Sequence, residues 1–420
     1  MVDRPLAALR IDEERFRADL EALAEIGSTG DGGVHRPALS EAHLAARAWL
    51  RERIEDAGLE FRVDSAGNHS GFLACGPEGA PTLLLGSHLD SVPYGGRFDG
   101  ALGVLTALES LRVVNEAGVT LPVHLEAMDF TDEEGTLVGL LGSAALGGVL
   151  HAEALQDPRG GRAALEAGLA RAGLTEAGLL SAQRNPASLA GYLELHVEQG
   201  MRLVNARVDI GIVTGIVGIN SYRLAFVGRA DHAGTTGMGE RRDASLGASA
   251  FVLAARELVM WDFAECVTNV GDMRFVPGAL NIVPARVELG LEFRAPEAAL
   301  FDRLEDALLE QARVAADRFG LELEVQWLGR CDPAPTSEVA RRAFGEAADA
   351  LGLTHMRLAS GAGHDAQSLA GTCPVGMIFV PSAEGASHSP REFTRCEDCV
   401  NGANVLLQGA VRFLQDERFR

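Results

Sequence analysis

The sequence predicts an α/β protein in which a mixed, mostly parallel β-sheet is covered by helices and a smaller α+β domain is inserted into the chain. Three observations lead to this prediction. The 420 residues exceed the roughly 250–300 at which single hydrophobic cores stop growing, so we expect two domains. Short apolar runs alternate with segments of helical periodicity, as in parallel strands joined by helices. From residue 211 the composition changes, beginning with a segment rich in Gly, Val and Ile.

Helices and strands alternate through the N-terminal half of the chain. Phe16, Leu20, Leu23 and Ile26 recur at helical spacing, so the first 50 or so residues are expected to be largely helical. Further along, apolar runs of strand length alternate with longer helical segments. The expected elements are a Gly- and Ser-rich loop at 27–33, a helix at 41–57, a strand at 82–85, a helix at 100–114, a strand at 123–130, mostly helical chain at 143–190 and a strand at 192–197.

The inserted segment contains both helices and strands, in the expected order βαββαβ. The alternation of predicted strands and helices resumes after Pro333-Ala334-Pro335. We therefore predict a discontinuous domain, 1–210 plus 329–420, and an inserted α+β domain at 211–328. The expected elements are β-rich segments at 211–228, 266–276 and 283–293, helices at 243–259, 296–319 and 337–351, strands at 322–327 and 375–380, and a C-terminal helix ending near residue 420.

The composition excludes several classes of function. The formal net charge is −22, and a polyanionic surface repels nucleic acid and anionic membranes, so neither is expected as a partner. All 37 residues counted as Lys or Arg are arginine. Without lysine, the protein has no Schiff-base chemistry, no P-loop lysine and no carbamylated-lysine metal bridge. No run approaches the roughly 18 consecutive apolar residues that a bilayer span needs.

Cysteine usage and the N-terminal sequence favour a reduced, cytoplasmic protein. The six cysteines are few and scattered, whereas disulfide-bonded proteins belong to oxidising compartments. The first residues lead into a charged amphipathic segment rather than the apolar core of a signal peptide. Cys396 and Cys399 form a CxxC pair, but a lone pair without a second pair or a nearby histidine is weak support for a zinc site.

Side chains suited to metal chemistry follow the predicted strands. His88 and Asp90, in GSHLDS, are two residues apart on an extended segment, so they share a face, and a carboxylate there can fix the imidazole tautomer. Asp99, in RFDG, lies at the start of the next helix. The carboxyl ends of strands in an open α/β sheet are the usual position of a binding site.

Three further motifs also follow strands. Glu133 and Glu134 are adjacent in TDEEG, and because successive side chains diverge, one can bind a metal while the other takes a proton from water. His196 lies in LHVEQG and His388 in ASHSP. Each motif alone is more often structural or solvated. Together, these histidines and carboxylates indicate two ions of Zn²⁺, Mn²⁺, Co²⁺ or Ni²⁺, roughly 3.5 Å apart.

Eight motifs occur in order along the chain: GSHLDS, GGRFDG, TDEEG, LHVEQG, ADHAGTT, NIVP, SGAGHDA and ASHSP. This series resembles the binuclear metallo-amidases related to carboxypeptidase G and aminoacylase. More narrowly, it resembles the amidase/hydantoinase/carbamoylase branch, which includes N-carbamoyl-L-amino-acid hydrolases, β-ureidopropionase, allantoate amidohydrolase and ureidoglycolate amidohydrolase. The resemblance extends from about residue 30 to about residue 400, and as an ordered set the motifs are highly specific.

The resemblance implies a role for each metal-binding residue. His88 and His196 would bind one ion, Glu134 and His388 would bind the other, and Asp99 would bridge the two. The peptidase branch has a carboxylate at the position of His196, so the histidine indicates the carbamoylase branch.

The resemblance also implies the remaining site residues. Glu133 would be the general base and then the general acid, and Asp90 would orient the ring of His88. The inserted domain would serve as a lid and a dimerisation domain of a homodimer, with His232 stabilising the oxyanion in the neighbouring subunit's site. Substrate contacts are implied for Gln199, Asn281 and Arg294, the arginine binding the substrate carboxylate. His364, in GAGHDA, either lines the substrate pocket or belongs to a helix-capping segment.

Two departures from the family pattern narrow the expected substrate. Gly237-Met238 follows HAGTT, where relatives commonly have Pro-Met, and Ile219-Asn220-Ser221 replaces the Gln-Arg of allantoate enzymes. The second change removes a cation and favours a substrate with one carboxylate and one carbamoyl arm. We therefore predict a hydrolase of N-carbamoyl-L-amino acids. Alternatives are allantoate or ureidoglycolate, then an aminoacylase or dipeptidase, and finally an inactive metal-binding scaffold, which the complete ligand set disfavours.

Overall fold

The computed structural model describes residues 4–419, which form thirteen strands and fourteen α-helices. The strands are β1 (Glu60–Val63), β2 (His69–Leu73), β3 (Thr82–His88), β4 (His124–Phe130), β5 (Leu189–Val197), β6 (Ile210–Ile216), β7 (Gly218–Val227), β8 (Val267–Val276), β9 (Arg286–Ala295), β10 (Glu322–Cys331), β11 (Ala334–Pro335), β12 (His355–Ser360) and β13 (Val375–Val380). The helices are α1 (Arg4–Ala7), α2 (Glu13–Glu25), α3 (Glu41–Asp56), α4 (Ala101–Ala117), α5 (Leu141–Gly147), α6 (Ala152–Gln156), α7 (Arg162–Ala172), α8 (Glu176–Leu180), α9 (Arg202–Ala206), α10 (Ala244–Asp262), α11 (Ala298–Arg318), α12 (Glu338–Leu351), α13 (Asp365–Leu369) and α14 (Cys396–Phe413).

The chain divides into two compact units. The first contains the described residues up to Thr214, then Thr336–Leu358, and the described residues from His364 onwards. The second contains Gly215–Pro335 and Ala359–Gly363. The predicted boundaries at 210 and 328 lie a few residues before these, and residues 359–363 were not expected to belong to the insert. The roles expected for the two domains stay predictions.

The sheet of the first unit is parallel in its centre and antiparallel towards its edges. The strand order is β1-β2-β4-β3-β5-β13-β6-β11, and β12 also pairs with β6. The four strands β4, β3, β5 and β13 run parallel, whereas β2 pairs antiparallel with β4, and β6 pairs antiparallel with β13. The predicted mixed α/β fold is confirmed. Because parallel strands end at the same edge, the residues that follow these four strands come together there.

Helix α4 passes through the core of the first unit. Every residue from 101 to 114 is buried, and most of them are apolar, as expected of a helix covered on all sides. Its neighbours in the core come from β3, β5, α2 and α14. The helix begins after Gly100, whose φ of +65° is a backbone conformation that glycine adopts readily. This start places Asp99 directly beside the end of β3.

The second unit is a four-stranded antiparallel sheet covered by two helices. The strand order is β10-β7-β9-β8. Buried and partly exposed residues alternate strictly along β9, and the buried set packs with α10 and α11 in one hydrophobic core. Among the described residues, α10 is the one helix long and apolar enough to cross a membrane. Its apolar face, including Phe251 and Ala255, packs in this core, as in an ordinary amphipathic helix.

Several elements differ from the sequence prediction. The segment expected to be mostly helical at 143–190 is a series of short helices, α5 to α8, separated by Gly- and Pro-containing turns. Strands β1, β2, β11 and β12 were not predicted. The C-terminal helix ends at Phe413 rather than near residue 420, which lies outside the described residues. The C-cap of that helix is Leu414, so no Gly or Pro signal marked its end.

Candidate metal centre

The five residues predicted as metal ligands lie at one edge of the first unit's sheet. His88 ends β3, His196 is the last residue but one of β5, and Asp99 precedes α4, while Glu134 follows β4 and His388 follows β13. Their nitrogen and oxygen atoms form two groups, each within 4.8 Å: His88, Asp99 and His196 in one, and Asp99, Glu134 and His388 in the other.

Asp99 belongs to both groups because its two oxygens face different neighbours. Oδ1 lies 3.0 Å from His196 Nε2 and 3.6 Å from His88 Nε2. Oδ2 lies 3.6 Å from His388 Nε2, which is itself 3.3 Å from Glu134 Oε2. A carboxylate shared between two sets of ligand atoms is what a two-metal centre requires.

The hydrogen bonds of two buried histidines orient both rings for cation binding. His88 Nδ1 lies 3.0 Å from the main-chain oxygen of Asp90, and His196 Nδ1 lies 2.9 Å from that of Val197. Because a carbonyl oxygen only accepts, each Nδ1 carries the hydrogen, and each neutral ring directs its Nε2 lone pair towards Asp99. A lone pair facing a carboxylate is repulsive unless a proton or a cation lies between them. The residues therefore fit a cation.

The charges of the site agree with this geometry. Burial alone would raise the pKa of Asp99, but His196, His88 and His388 hold it below its ordinary value. Burial opposes the charged form of His196, yet Asp99 outweighs it and raises the pKa of His196 to about 9. Burial lowers the pKa of His88 to about 4. A proton on His196 thus neutralises part of the carboxylate charge in the metal-free protein, and a divalent cation can replace that proton.

Asp90 lies beside His88, but its side chain has a different partner from the one predicted. The hydrogen bond to the His88 ring is made by the main-chain oxygen of Asp90, while its Oδ1 lies 3.8 Å from Nδ1. The carboxylate instead accepts the backbone N–H groups of Glu133 and Glu134, at 3.2 and 3.3 Å. The turn after β4 approaches closely enough to use both oxygens. Asp90 therefore connects the end of β3 to the two glutamates.

The two glutamates face different groups. Glu133 Oε2 lies 3.5 Å from His88 Nε2, whereas Glu134 faces His388. Burial, and then the negative charges of Asp365 and Glu134, raise the pKa of Glu133 well above its ordinary value. A carboxylate in such surroundings accepts a proton readily, which suits a general base.

Gln199 and His388 both have left-handed backbone conformations, with φ of 57° and 52°. Non-glycine residues in this region cost of order 1–3 kcal/mol, and they concentrate at functional sites. Gln199 Nε2 donates to Asp99 Oδ2 at 2.8 Å and lies 3.2 Å from Ser387 Oγ. The structure thus places Gln199 against the shared carboxylate, and its predicted contact with substrate stays a prediction.

His232 and Asn281 lie together in the second unit. The backbone N–H of Ala233 donates to the main-chain oxygen of Asn281 at 3.0 Å. His232 Nδ1 accepts the N–H groups of Gly234 and Thr235, at 3.0 and 3.2 Å. Because Nδ1 accepts, the hydrogen of the neutral ring lies on Nε2. The ring is therefore prepared to donate a hydrogen bond from Nε2.

Arg294, at the end of β9, is held by two neighbours within the second unit. Its Nε and Nη2 donate to Glu292 Oε1 at 3.0 and 2.9 Å, and Nη1 donates to the main-chain oxygen of Gly361 at 2.7 Å. A guanidinium has five N–H groups, so one remains on Nη1 and one on Nη2. These two hydrogens remain for a further acceptor such as a carboxylate.

A buried ion pair that the motifs did not reveal connects helix α3 to β4. Arg47 Nε lies 2.7 Å from Asp129 Oδ2, and both side chains are almost fully buried. Asp129 Oδ1 accepts the N–H of Leu89, and Arg47 Nη2 donates to Thr131 Oγ1. The available signal was an arginine next to Ala46 and close to Leu50 on the apolar side of a predicted helix.

His364 and the CxxC pair were left open by the sequence. The buried His364 ring lies 4.6 Å from the His196 ring and 5.7 Å from that of Phe379, centroid to centroid, and makes no capping hydrogen bond to α13. Cys396 and Cys399 are free thiols at the start of α14. Neither belongs to the two groups of candidate ligands found among the described residues.

This fold and this arrangement of ligands define a class of metal-dependent hydrolases, and comparison with known families agrees. The family model described as peptidase family M20/M25/M40 matches residues 84–411, so the chain belongs to that family. The resemblance stated from the motifs is confirmed.

Three individual proteins are similar to this chain over most of their length. The chain is 38% identical to N-carbamoyl-L-amino acid amidohydrolase of Geobacillus stearothermophilus, over 97% of this chain and 100% of the relative. It is 32% identical to ureidoglycolate hydrolase of Arabidopsis thaliana, over 95% of this chain and 86% of that protein. A solved structure of an amidase of the hydantoinase/carbamoylase family from Burkholderia multivorans has a TM-score of 0.86 and 34% identity, and covers 97% and 98% of the two chains.

Proposed function

We propose that the protein is a two-metal amidohydrolase that removes the carbamoyl group of N-carbamoyl-L-amino acids and releases the amino acid, carbon dioxide and ammonia. The observation that carries the proposal is Asp99, whose two oxygens face two separate groups of ligand atoms. The substrate class is supported by relatives of 34–38% identity that bear the corresponding name.

The proposed cofactor is a pair of divalent ions in each subunit, of Zn²⁺, Mn²⁺, Co²⁺ or Ni²⁺. His88 and His196 would hold one ion, Glu134 and His388 the other, and Asp99 would contact both. When bound, such ions supply Lewis acidity towards the ureido carbonyl and the attacking water. The mixture of imidazole and carboxylate donors supports these metals over Mg²⁺ or a thiolate-bound ion.

Glu133 is the proposed proton carrier. Its carboxylate would take the proton from the attacking water and give it to the leaving nitrogen. Burial and neighbouring negative charges raise the pKa of Glu133, so its carboxylate takes up a proton readily. Asp90 supports this role because its carboxylate holds the backbone N–H of Glu133.

Four further residues are proposed to contact the substrate. Arg294 would take the substrate carboxylate through its remaining Nη1 and Nη2 hydrogens, and Asn281 and Gln199 would contact its polar groups. His232, with its hydrogen on Nε2, would stabilise the oxyanion in the neighbouring subunit of a homodimer. We further propose a cytoplasmic protein with no nucleic-acid or membrane partner.

A second candidate substrate belongs to the same chemical class. The relative named ureidoglycolate hydrolase and one named allantoate amidohydrolase favour ureido acids other than carbamoyl amino acids. Asn220, in the segment that lacks the Gln-Arg of allantoate enzymes, donates to Glu305 and accepts from Trp327. This position therefore offers no cation for a second carboxylate.

One assay distinguishes these substrates. Protein reconstituted with Mn²⁺ or Zn²⁺ is incubated with N-carbamoyl amino acids, allantoate, ureidoglycolate and N-acetyl amino acids, and released ammonia and free amino acid are quantified. We expect ammonia together with free amino acid from the L-carbamoyl compounds. Hydrolysis of the N-acetyl compounds alone would contradict the proposal, and no turnover of any compound would return the protein to the class of inactive metal binders.

A further inference from the structure

Glu392 is a buried carboxylate beside the candidate metal centre that has no role in the proposed reaction. Its side chain belongs to the turn that follows His388, and only 3% of the residue is exposed. Within residues 4–419, no arginine or histidine forms an ion pair with it. Burying a carboxylate without a cationic partner costs free energy, which its hydrogen bonds must offset. The partners in these hydrogen bonds therefore indicate the role of the residue.

Both oxygens of Glu392 accept hydrogen bonds from the segments that carry candidate ligands. Oε1 accepts the backbone N–H groups of Phe98 and Asp99, at 2.9 and 3.0 Å. Oε2 lies 3.2 Å from Ser387 Oγ, and the same hydroxyl lies 3.1 Å from Asp99 Oδ2. The oxygens of Glu392 are therefore directed at donors of the protein, and Glu392 belongs to neither group of candidate ligands found among residues 4–419.

The chain around Asp99 requires such a contact. Gly95, Gly96 and Gly100 flank it and leave its backbone with wide conformational freedom. Two consecutive N–H groups bound to one carboxylate oxygen fix the peptide between Phe98 and Asp99. At Gly96, a Cβ atom would lie 2.0 Å from Cδ of Glu392, so the close approach of this carboxylate depends on glycine.

We propose that Glu392 is a positioning residue that fixes Asp99 relative to His388 and thereby sets the affinity for the second metal ion, the one assigned to Glu134 and His388. The inference rests on the proposed two-metal centre. Ser387 completes the link, because it precedes His388 and its single hydrogen is shared between Glu392 and Oδ2 of Asp99. The first ion also contacts Asp99, but it depends less on Glu392 because its other two ligands, His88 and His196, lie on strands.

The test measures metal binding rather than turnover. Wild type and variants are stripped of metal and dialysed against graded Mn²⁺, and bound metal per chain is quantified. Loss of a residue that orients a metal ligand typically costs about 10–100-fold in metal affinity. We expect Glu392→Ala to weaken the second equivalent of Mn²⁺ by about this factor and to change the first by less than about threefold.

Two further variants separate geometry from charge and protect the test against misfolding. Glu392→Gln keeps a carbonyl oxygen that can accept both N–H groups, so we expect it to retain most of the second-site affinity. Gly96→Ala leaves Glu392 in place but displaces its carboxylate, so we expect it to resemble Glu392→Ala. The matched control is Asp243→Ala in the second unit, because that buried carboxylate also accepts a backbone N–H and a hydroxyl, both from Ser245. This control should lose stability and bind both equivalents normally.

The outcomes distinguish this inference from the proposed function. If wild type binds fewer than two equivalents of Mn²⁺, the two-metal centre is wrong and the inference falls with it. If wild type binds two equivalents while Glu392→Ala and Gly96→Ala lose only thermal stability, Glu392 is merely structural. Equal weakening by Glu392→Gln and Glu392→Ala would show that the charge, rather than the position of Asp99, sets the affinity.

Discussion

Glu133 and Glu134 are neighbours in the chain, yet one faces His88 and the other faces His388. We expect Glu133→Gln to keep both metal ions and to lose about 10²–10⁴-fold in kcat, because an amide does not carry the proton. Glu134→Gln is the matched comparison, since it should lose metal from the second position. Turnover and metal content are measured on the same samples. A Glu133→Gln protein with full metal content and near-normal kcat would exclude this residue as the base.

Replacing Arg294 by lysine tests whether the arginine side chain binds the substrate carboxylate. Lysine has no planar fork and does not satisfy Glu292, Gly361 and a substrate carboxylate together. Since a hydrogen bond to a charged group contributes about 1.5–3 kcal/mol, we expect Arg294→Lys to raise KM about 10–100-fold with metal content unchanged. Arg223→Lys is the control, because that partly exposed arginine pairs with Asp272 on the same sheet. Equal KM values for both variants would refute carboxylate binding by Arg294.

Residues with a characteristic motif could be predicted from the sequence, whereas their supporting partners could not. His88 and His388 each lie in a short motif that follows a predicted strand, and Asp99 lies in a motif at the start of a predicted helix. Glu392 contacts Phe98 across 294 positions of the chain, and no local pattern encodes that pairing. No local pattern predicts the Arg47–Asp129 pair either, since neither residue was assigned to a functional motif.

At the level of elements, the close packing of β3 against β4 depends on a glycine. A Cβ atom at Gly86 would lie 2.3 Å from the main-chain oxygen of Met128. Because that oxygen belongs to the sheet backbone and has little freedom to move, we expect Gly86→Ala to lower the free energy of unfolding by about 1–3 kcal/mol. Gly371→Ala is the control, as nothing lies within 4 Å of its Cβ position. Urea denaturation of both variants tests this, and equal midpoints would contradict it.

His69 on β2 makes the packing of that strand sensitive to acid. Burial, and then Arg47 and Arg51, lower the pKa of His69 to about 3, whereas an unfolded histidine titrates near pH 6.5. Between these values the unfolded chain binds one more proton, so the free energy of unfolding falls as the pH falls. This histidine contributes a slope of about 1.4 kcal/mol per pH unit. We expect His69→Phe to remove that contribution, so that the two stability curves diverge below about pH 6.5 and run parallel above it. Identical slopes at pH 4–6 would contradict this prediction.

Elements with strong periodicity could be predicted, and those defined by long-range pairing could not. Helices α3, α10 and α11, and the buried strand β13, carry clear apolar patterns, and the structure contains them close to the expected bounds. Strands β1 and β2 are short and partly exposed, and they exist because β2 pairs with β4. Helices α6 and α8 are only five residues long, so periodicity had no length over which to reveal their ends.

At the level of the whole molecule, the number of chains that form one active site can be measured. His232 is proposed to act in the neighbouring subunit, so each site would need Glu133 from one chain and His232 from the other. Mixing Glu133→Gln with His232→Ala should then restore activity, because one site of each heterodimer contains both intact residues. Complete exchange gives half heterodimers, so we expect recovery of about a quarter of the wild-type activity per site.

A second mixture of two variants serves as the control. It shows whether recovery of activity requires that the two defects lie in different units of the protein. Glu133→Gln mixed with Glu134→Gln places both defects in the first unit, so every site in the heterodimer keeps one damaged glutamate and activity should stay at the level of the separate variants. Subunit exchange is verified in both mixtures by mass spectrometry of differently tagged chains. Exchange without recovery in the Glu133→Gln and His232→Ala mixture would mean that His232 serves its own chain or has no part in the reaction. Recovery in the Glu133→Gln and His232→Ala mixture, without recovery in the Glu133→Gln and Glu134→Gln mixture, would show that the second unit of one chain completes the site of its partner.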